Sequence, residues 1–304
     1  MKSSALILAA FLIAVPPVAV SADLEETFNQ LKEAAPQKDP ATVKKLAGAI
    51  LEITVPGLAS PAPTDAAEKE EWNNRIAYYR DTQTFAEYAL YSTAIQAPPE
   101  ACLDLLSTLE QRSPKSKYMV VAYPMYFQAL AKTGAAAKIP AVAESALKNL
   151  PDNEDLLLTL AESAYAKKES TKALGYATRV TTVLSKNTKP EELAEADWQR
   201  KRSSALGRTN FIAGLIYVER QQHAQANRSL RAALPFIKGN DAMMAPALFY
   251  LGVANYSLGT MTNTKAQVLE GAKFSEQAAA IKSDLATQAY RNAQAMKDAA
   301  AKMR

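Results

Sequence analysis

The chain has 304 residues, with 35 basic against 31 acidic side chains, one cysteine and one histidine. So mild a positive surplus argues against nucleic acid, whose phosphates are met by lysines and arginines clustered on one face, and the lone Cys102 forms no internal disulfide. Ten glycines among many Ala, Leu, Glu, Lys and Gln residues point to an all-α chain that is held together by apolar burial.

In chain order, the first segment has one lysine, an apolar run from Ala5 to Val15, a Pro16-Pro17 break, then Val20-Ser21-Ala22 ahead of an acidic stretch. That order reads as a secretory signal, residues 1–22, cleaved after Ala22. The run is too short, and too broken by proline, for the roughly 20 apolar residues of a membrane helix. Cleavage leaves no cysteine at the new N-terminus for a lipid anchor and takes the formal charge from +4 to +3. The expected product is soluble, periplasmic or secreted, with no stable membrane span.

Residues 23–55 have the pattern of a helical hairpin, and "VPGLASPAPTD" leads into a linker over 56–65. Apolar and small residues then recur at steps of three and four, as in Leu157, Leu160, Ala161 and Ala164, with no sustained alternation of the strand type. Proline-marked breaks at Pro98-Pro99, Pro114, Pro151 and Pro190 divide the pattern into helices joined as hairpins. Two stretches are longer. Residues 65–97 keep one stripe through Trp72, Ile76, Tyr79, Ala86 and Leu90, and residues 190–222 keep another from Leu193 through Trp198 to Ile212. Both tryptophans are expected to cover core edges. Arg200-Lys201-Arg202, the densest basic run, reads as a solvated helix face. The polar, Ala-rich segment 283–304 suits a terminal capping helix.

The segments "YPMYFQALAKTGAAAKIPAVAESALKNLPDN" and "DLLLTLAESAYAKKESTKALGYATRVTTVL" superpose with a shift of 34 residues. In "GLIYVERQQHAQANRSLRAAL" and the residue before it, Ala213-Gly214, Tyr217, Ala226 and Leu230 occupy the spacing W-x2-L-G-x2-Y followed by A-x3-F. "ALFYLGVANYSLG" supplies Leu248, Leu251 and Gly252, and "EYALYSTAIQAPPEACLDLLSTLEQRSP" supplies Ala89, Leu90, Cys102, Leu106 and Pro114. These residues resemble the tetratricopeptide (TPR) repeat. No copy has the tryptophan, only the last two keep the glycine, and about 19 extra residues enlarge one repeat. The resemblance implies a right-handed α-solenoid of helix-turn-helix hairpins over 66–282, with two elongated helices and the C-terminal cap. Small residues such as Ala173, Ala226 and Cys102 are then expected at helix contacts.

In such a solenoid the first helix of each hairpin lines a concave face. By that logic the partner-binding residues are Tyr91, Gln128, Lys132, Glu162, Tyr165, Phe211, Leu215, Glu219, Phe249 and Tyr256. Several of these rings could equally pack between repeats. The places where some relatives clamp a C-terminal carboxylate with Lys and Asn hold Glu, Leu, Phe and Tyr here, which argues against that mode.

No zinc motif, nucleophile elbow or phosphate loop is present, and acid pairs such as Glu25-Glu26 and Glu191-Glu192 fall near helix starts, where the dipole favours them. No catalytic residue, cofactor or metal is expected. His223 falls at a hairpin turn, three residues before Ala226, filling space with one nitrogen bonded to backbone. The expected function is a non-enzymatic scaffold or adaptor of the cell envelope that binds a peptide or protein partner. The competing readings are an enzyme or carbohydrate-binding protein with a site between the long helices, and a structural spacer.

Overall fold

The computed structural model of the chain describes residues 17–303, with side chains from Asp23 onward. The apolar run Ala5 to Val15 lies outside the described residues. Among those described, the chain forms thirteen α-helices and no strand. No described helix is long and apolar enough to cross a membrane. The chain divides into two compact units, one ending at Ala129 and the other beginning at Leu130.

The first unit contains α1 (Pro17–Ala34), α2 (Pro40–Leu58), α3 (Ala66–Ala94), α4 (Pro99–Arg112) and most of α5 (Lys117–Lys132). Local chemistry sets its helix starts. Asp39 caps α2 by accepting from the Thr42 amide at 2.9 Å, with Pro40 at the first helical position, where its missing N–H costs nothing. Asp65 accepts from the Ala67 and Glu68 amides to start α3. Helix α2 continues through Pro56 to Leu58, so helix occupies the start of the Pro-rich stretch. Leu31, Ile50, Leu90 and Leu106 are fully buried, and Cys102 is buried as well, as suits a small apolar group. A buried carboxylate, Glu87 on α3, fastens the α4–α5 turn by accepting from the hydroxyls of Ser113 at 2.5 Å and Ser116 at 2.7 Å.

The second unit has α6 (Ile139–Ala146), α7 (Glu154–Ala166), α8 (Ser170–Lys186), α9 (Glu195–Glu219), α10 (His223–Ile237), α11 (Asp241–Met261), α12 (Lys265–Ala279) and α13 (Ala286–Lys302). Each helix packs on the next. In addition α7 contacts α9, α9 contacts α11 and α11 contacts α13, so the odd-numbered helices lie side by side as one layer.

The hairpins of this unit close in one way. Lys168, Gln221 and Asn263 each take left-handed backbone angles, with φ of 61°, 57° and 50°. The next residue's N–H then reaches back five residues: Glu169 to the Ala164 carbonyl, Gln222 to Tyr217 and Thr264 to Gly259, at 2.7–2.8 Å. This is the Schellman closure, which satisfies carbonyls left open at a helix end. Gly134, with φ 77°, makes the same closure through the Ala135 amide and the Leu130 carbonyl. Five residues past the three turns, Ala173, Ala226 and Val268 are all fully buried.

Glycine permits the closest approaches. A methyl on Gly214 would stand 2.5 Å from Cγ of Leu230, and one on Gly271 would stand 2.8 Å from the Gly252 carbonyl oxygen. Of the extra residues, 195–205 form the first half of α9, whereas 187–194 are turn and irregular chain, so the expected helix over 190–222 begins only at Glu195. In that half Trp198 and Ala205 extend the core made by Leu157, Val180 and Leu184. Trp72 is half-buried, and its Nε1 faces the Ser60 hydroxyl at 3.4 Å.

Candidate functional site

The layer of odd-numbered helices holds the residues singled out on α7, α9 and α11. Helix α7 begins with Asn153, whose Oδ1 accepts from the amides of Asp155 and Leu156, both at 3.1 Å. Glu154 and Asp155 follow in the first turn, where negative charge meets the positive end of the helix dipole. Lys201 of α9 reaches both carboxylates, 2.6 Å from Glu154 Oε1 and 2.7 Å from Asp155 Oδ2. Its side chain is only 17% exposed, so the middle of the basic run is a buried ion-pair partner and the expectation of a solvated face fails there. The reason is tertiary: the first half of α9 crosses the start of α7.

Neither of those two oxygens has a partner other than Lys201. Burial therefore dominates at Asp155 and pushes its carboxyl up to about 6, against the opposing pull of Lys201. At Lys201 burial works downward, but the two carboxylates outweigh it and raise the ammonium above its ordinary value.

Two turns further along α7, Glu162 takes a two-pronged contact from Arg208 of α9, with Nε to Oε1 at 2.6 Å and Nη2 to Oε2 at 2.5 Å. Tyr165 lies one turn beyond, packed on Ala161, Ala164, Ile212 and Ile216. The pKa of its hydroxyl is raised by burial first and then by the charge of Glu219 and the nearby Tyr250 phenol. Glu219 accepts from the Ser170 hydroxyl at 3.2 Å, while the neighbouring Arg220 donates to Thr171 Oγ1 at 2.8 Å. Arg208, Phe211, Leu215 and Glu219 recur at steps of three and four, and so share one stripe of α9.

The ten sequence-derived residues do not form one cluster. Tyr91 and Gln128 belong to the first unit and the other eight to the second. Tyr91 stacks on Tyr118 with ring centroids 5.5 Å apart. Gln128 and Lys132 are exposed on α5. Glu162 meets Arg208 of α9 and Tyr165 packs on Ile212 and Ile216 of the same helix, while Phe211, Leu215 and Glu219 share one stripe of α9. Phe249 meets Tyr250 edge to face at 5.2 Å and packs toward Ala278 and Ala289, and Tyr256 packs toward Val268 and Met296. Those last two rings fill the joint between α11, α12 and α13.

Sequence reasoning missed Arg208, Tyr250 and the Lys201 pair. The stripe of α9 carried a signal for Arg208; for Lys201 and Asp155, 46 positions apart, local sequence held none. His223 is the first residue of α10, as its position before Ala226 implies, but its Nδ1 is buried without a hydrogen-bond partner. The expected bond to backbone is therefore absent at that nitrogen. Helix α10 begins at this residue, where the nearby amides are donors and compete for acceptors. Among the described residues no group of three or more His, Cys, Asp or Glu is arranged to hold a metal. No protein-family model matches this chain, and no curated protein matches its sequence.

Proposed function

We propose that the chain is a non-enzymatic adaptor of the cell envelope, a right-handed solenoid resembling the tetratricopeptide family, and that it docks a peptide or protein on the face of α7, α9 and α11. The observation that carries this reading is the side-by-side row of first helices, which puts the half-buried Tyr165, Phe211 and Leu215 beside the charged Glu162, Arg208 and Glu219. Rings and aliphatic groups flanked by fixed charges suit a docked chain better than a small reactive substrate, because apolar area supplies affinity and the charges set register. Asp155 is raised toward neutrality, yet Lys201 occupies its carboxylate, which leaves it poorly placed as a general acid or base. Export rests on the apolar run and small residues of 1–22.

A photo-crosslinking amino acid at position 215, compared with one at the exposed Thr178 of α8, tests the face. A defined partner should be trapped in cells at 215 and not at 178. Equal trapping at both sites, or trapping at 178 alone, would sink the proposal.

A further inference from the structure

The first unit presents a surface of its own at the end of α3. Among the described residues of that unit, Tyr88 and Ile95 are the large apolar side chains left open to water, 48% and 53% exposed. Ile95 follows α3 directly and keeps helical backbone angles. Seven positions apart, the two stand on one face, about 10.5 Å apart along the helix axis. The Tyr88 ring is held in place: it packs against Tyr118 of α5 with centroids 5.8 Å apart, and Tyr118 stacks on Tyr91 at 5.5 Å. A ring already fixed in this way loses little freedom when something docks on it.

A cation lies between the two apolar groups. Lys38, in the turn between α1 and α2, donates to the hydroxyl of Ser92, which shares the face of Tyr88 and Ile95, at 2.7 Å. Its Nζ is 6.0 Å from the Tyr88 ring centroid. Lys44, Lys201 and Lys297 each reach a carboxylate of another helix, whereas Lys38 reaches a neutral hydroxyl and, among the described residues, no acid. Its backbone is also left-handed, with φ of 55°, an angle that costs a residue with a Cβ. The chain thus spends conformational energy to hold an ammonium, with two N–H groups left to donate, beside an exposed ring.

Apolar, cationic and apolar groups in that order along one helix face have a simple complement. A second helix laid along α3 rises by the same 1.5 Å per residue, so its positions i and i+7 reach Tyr88 and Ile95 while i+3 or i+4 meets Lys38. We propose that this face receives an acidic amphipathic helix of another protein, with apolar residues on Tyr88 and Ile95 and a carboxylate on Lys38. A second copy of the chain is a poor occupant, because a two-fold axis through the face sets Lys38 against its own counterpart. One short face with a single ion pair suits a transient contact. This face belongs to the first unit, whereas α7, α9 and α11 belong to the second.

Fluorescein-labelled three-heptad peptides, with Leu at every seventh position and either Glu or Lys at the two positions midway between, are titrated with the full chain by polarisation at physiological salt. The glutamate peptide is expected to bind at least tenfold more tightly than the lysine peptide. Because the chain's formal surplus of +4 favours any acidic peptide, the variants decide. Lys38→Gln and Lys45→Gln remove the same charge, Lys45 being exposed on α2, and only Lys38→Gln should weaken the glutamate peptide, by about three- to tenfold. Ile95→Glu, at a side chain open to water, keeps the fold and sets a like charge against the acidic helix, so it should weaken that peptide more than about tenfold. Tyr290→Ala, at an exposed ring on α13, should leave it unchanged. Equal binding of the two peptides, binding of neither, equal losses from Lys38→Gln and Lys45→Gln, or an unaffected Ile95→Glu overturns the assignment.

Discussion

The charge on Asp155 governs the joint between α7 and α9. Its carboxyl is raised from the ordinary 3.8 to about 6 by burial, so between about pH 4 and 6 the folded chain holds a proton that the unfolded chain has released. Stability from this group therefore increases as pH falls through 6 toward 4, and it is lost as pH rises through 6. The contribution is on the order of 1–3 kcal/mol by the linkage between pKa and free energy. Asp155→Asn should remove that rise while Lys201 keeps Glu154, and thermal melts at pH 5 and 7.5 measure it. A variant whose melting temperature still climbs as steeply as the parent's between those values would show that another group carries the effect. Single residues were legible where their role is local. Ala173, Ala226 and Cys102 announce burial by their spacing along one helix, and all three are buried. Lys201 could not be read this way, because a lysine between two arginines has the same pattern whether it faces water or the start of a helix 46 positions earlier.

Hairpins close on side chains that the left-handed region disfavours. Lys168, Gln221 and Asn263 hold the turn position that Gly134 holds without a Cβ penalty. Gln221→Gly should therefore stabilise the protein by about 0.5–1 kcal/mol, the relief of strain exceeding the added freedom of the unfolded chain. Urea unfolding at unchanged slope measures this, and a lowered midpoint would mean that the Gln221 side chain contributes more than its backbone costs. The helices of this unit were legible because period, proline breaks and small contact residues all point the same way. The turns were less so. Gly is the usual sign of such a closure, and only one of these four positions carries it, so the recurrence is visible in dihedral angles and carbonyl partners rather than in residue type.

For the molecule as a whole, the division was the least legible feature. Residues 55–65 have the composition of a linker, yet the boundary between the compact units falls inside α5, a continuous helix whose residues give no compositional sign of it. The end of the chain was easier, because a helix covering an apolar surface must be apolar on one side and polar on the other. Helix α13 is such an element. Ala289, Ala293, Met296 and Ala300 are buried, while Arg291, Gln294, Asp298 and Lys302 are exposed. Its buried side covers Val268 and Ala272 in one cluster, Leu248 and Ala278 in another. Ending the chain after Ser283 would open both clusters to water and leave an exposed apolar patch on α11 and α12. The shortened protein should melt at lower temperature and self-associate, which light scattering on a sizing column detects; Met296→Asp, a milder lesion of the same contact, should lower the melting temperature in the same direction. A shortened chain that stays monomeric and melts with its parent would show that α13 is an appendage, and that the core is complete at α12.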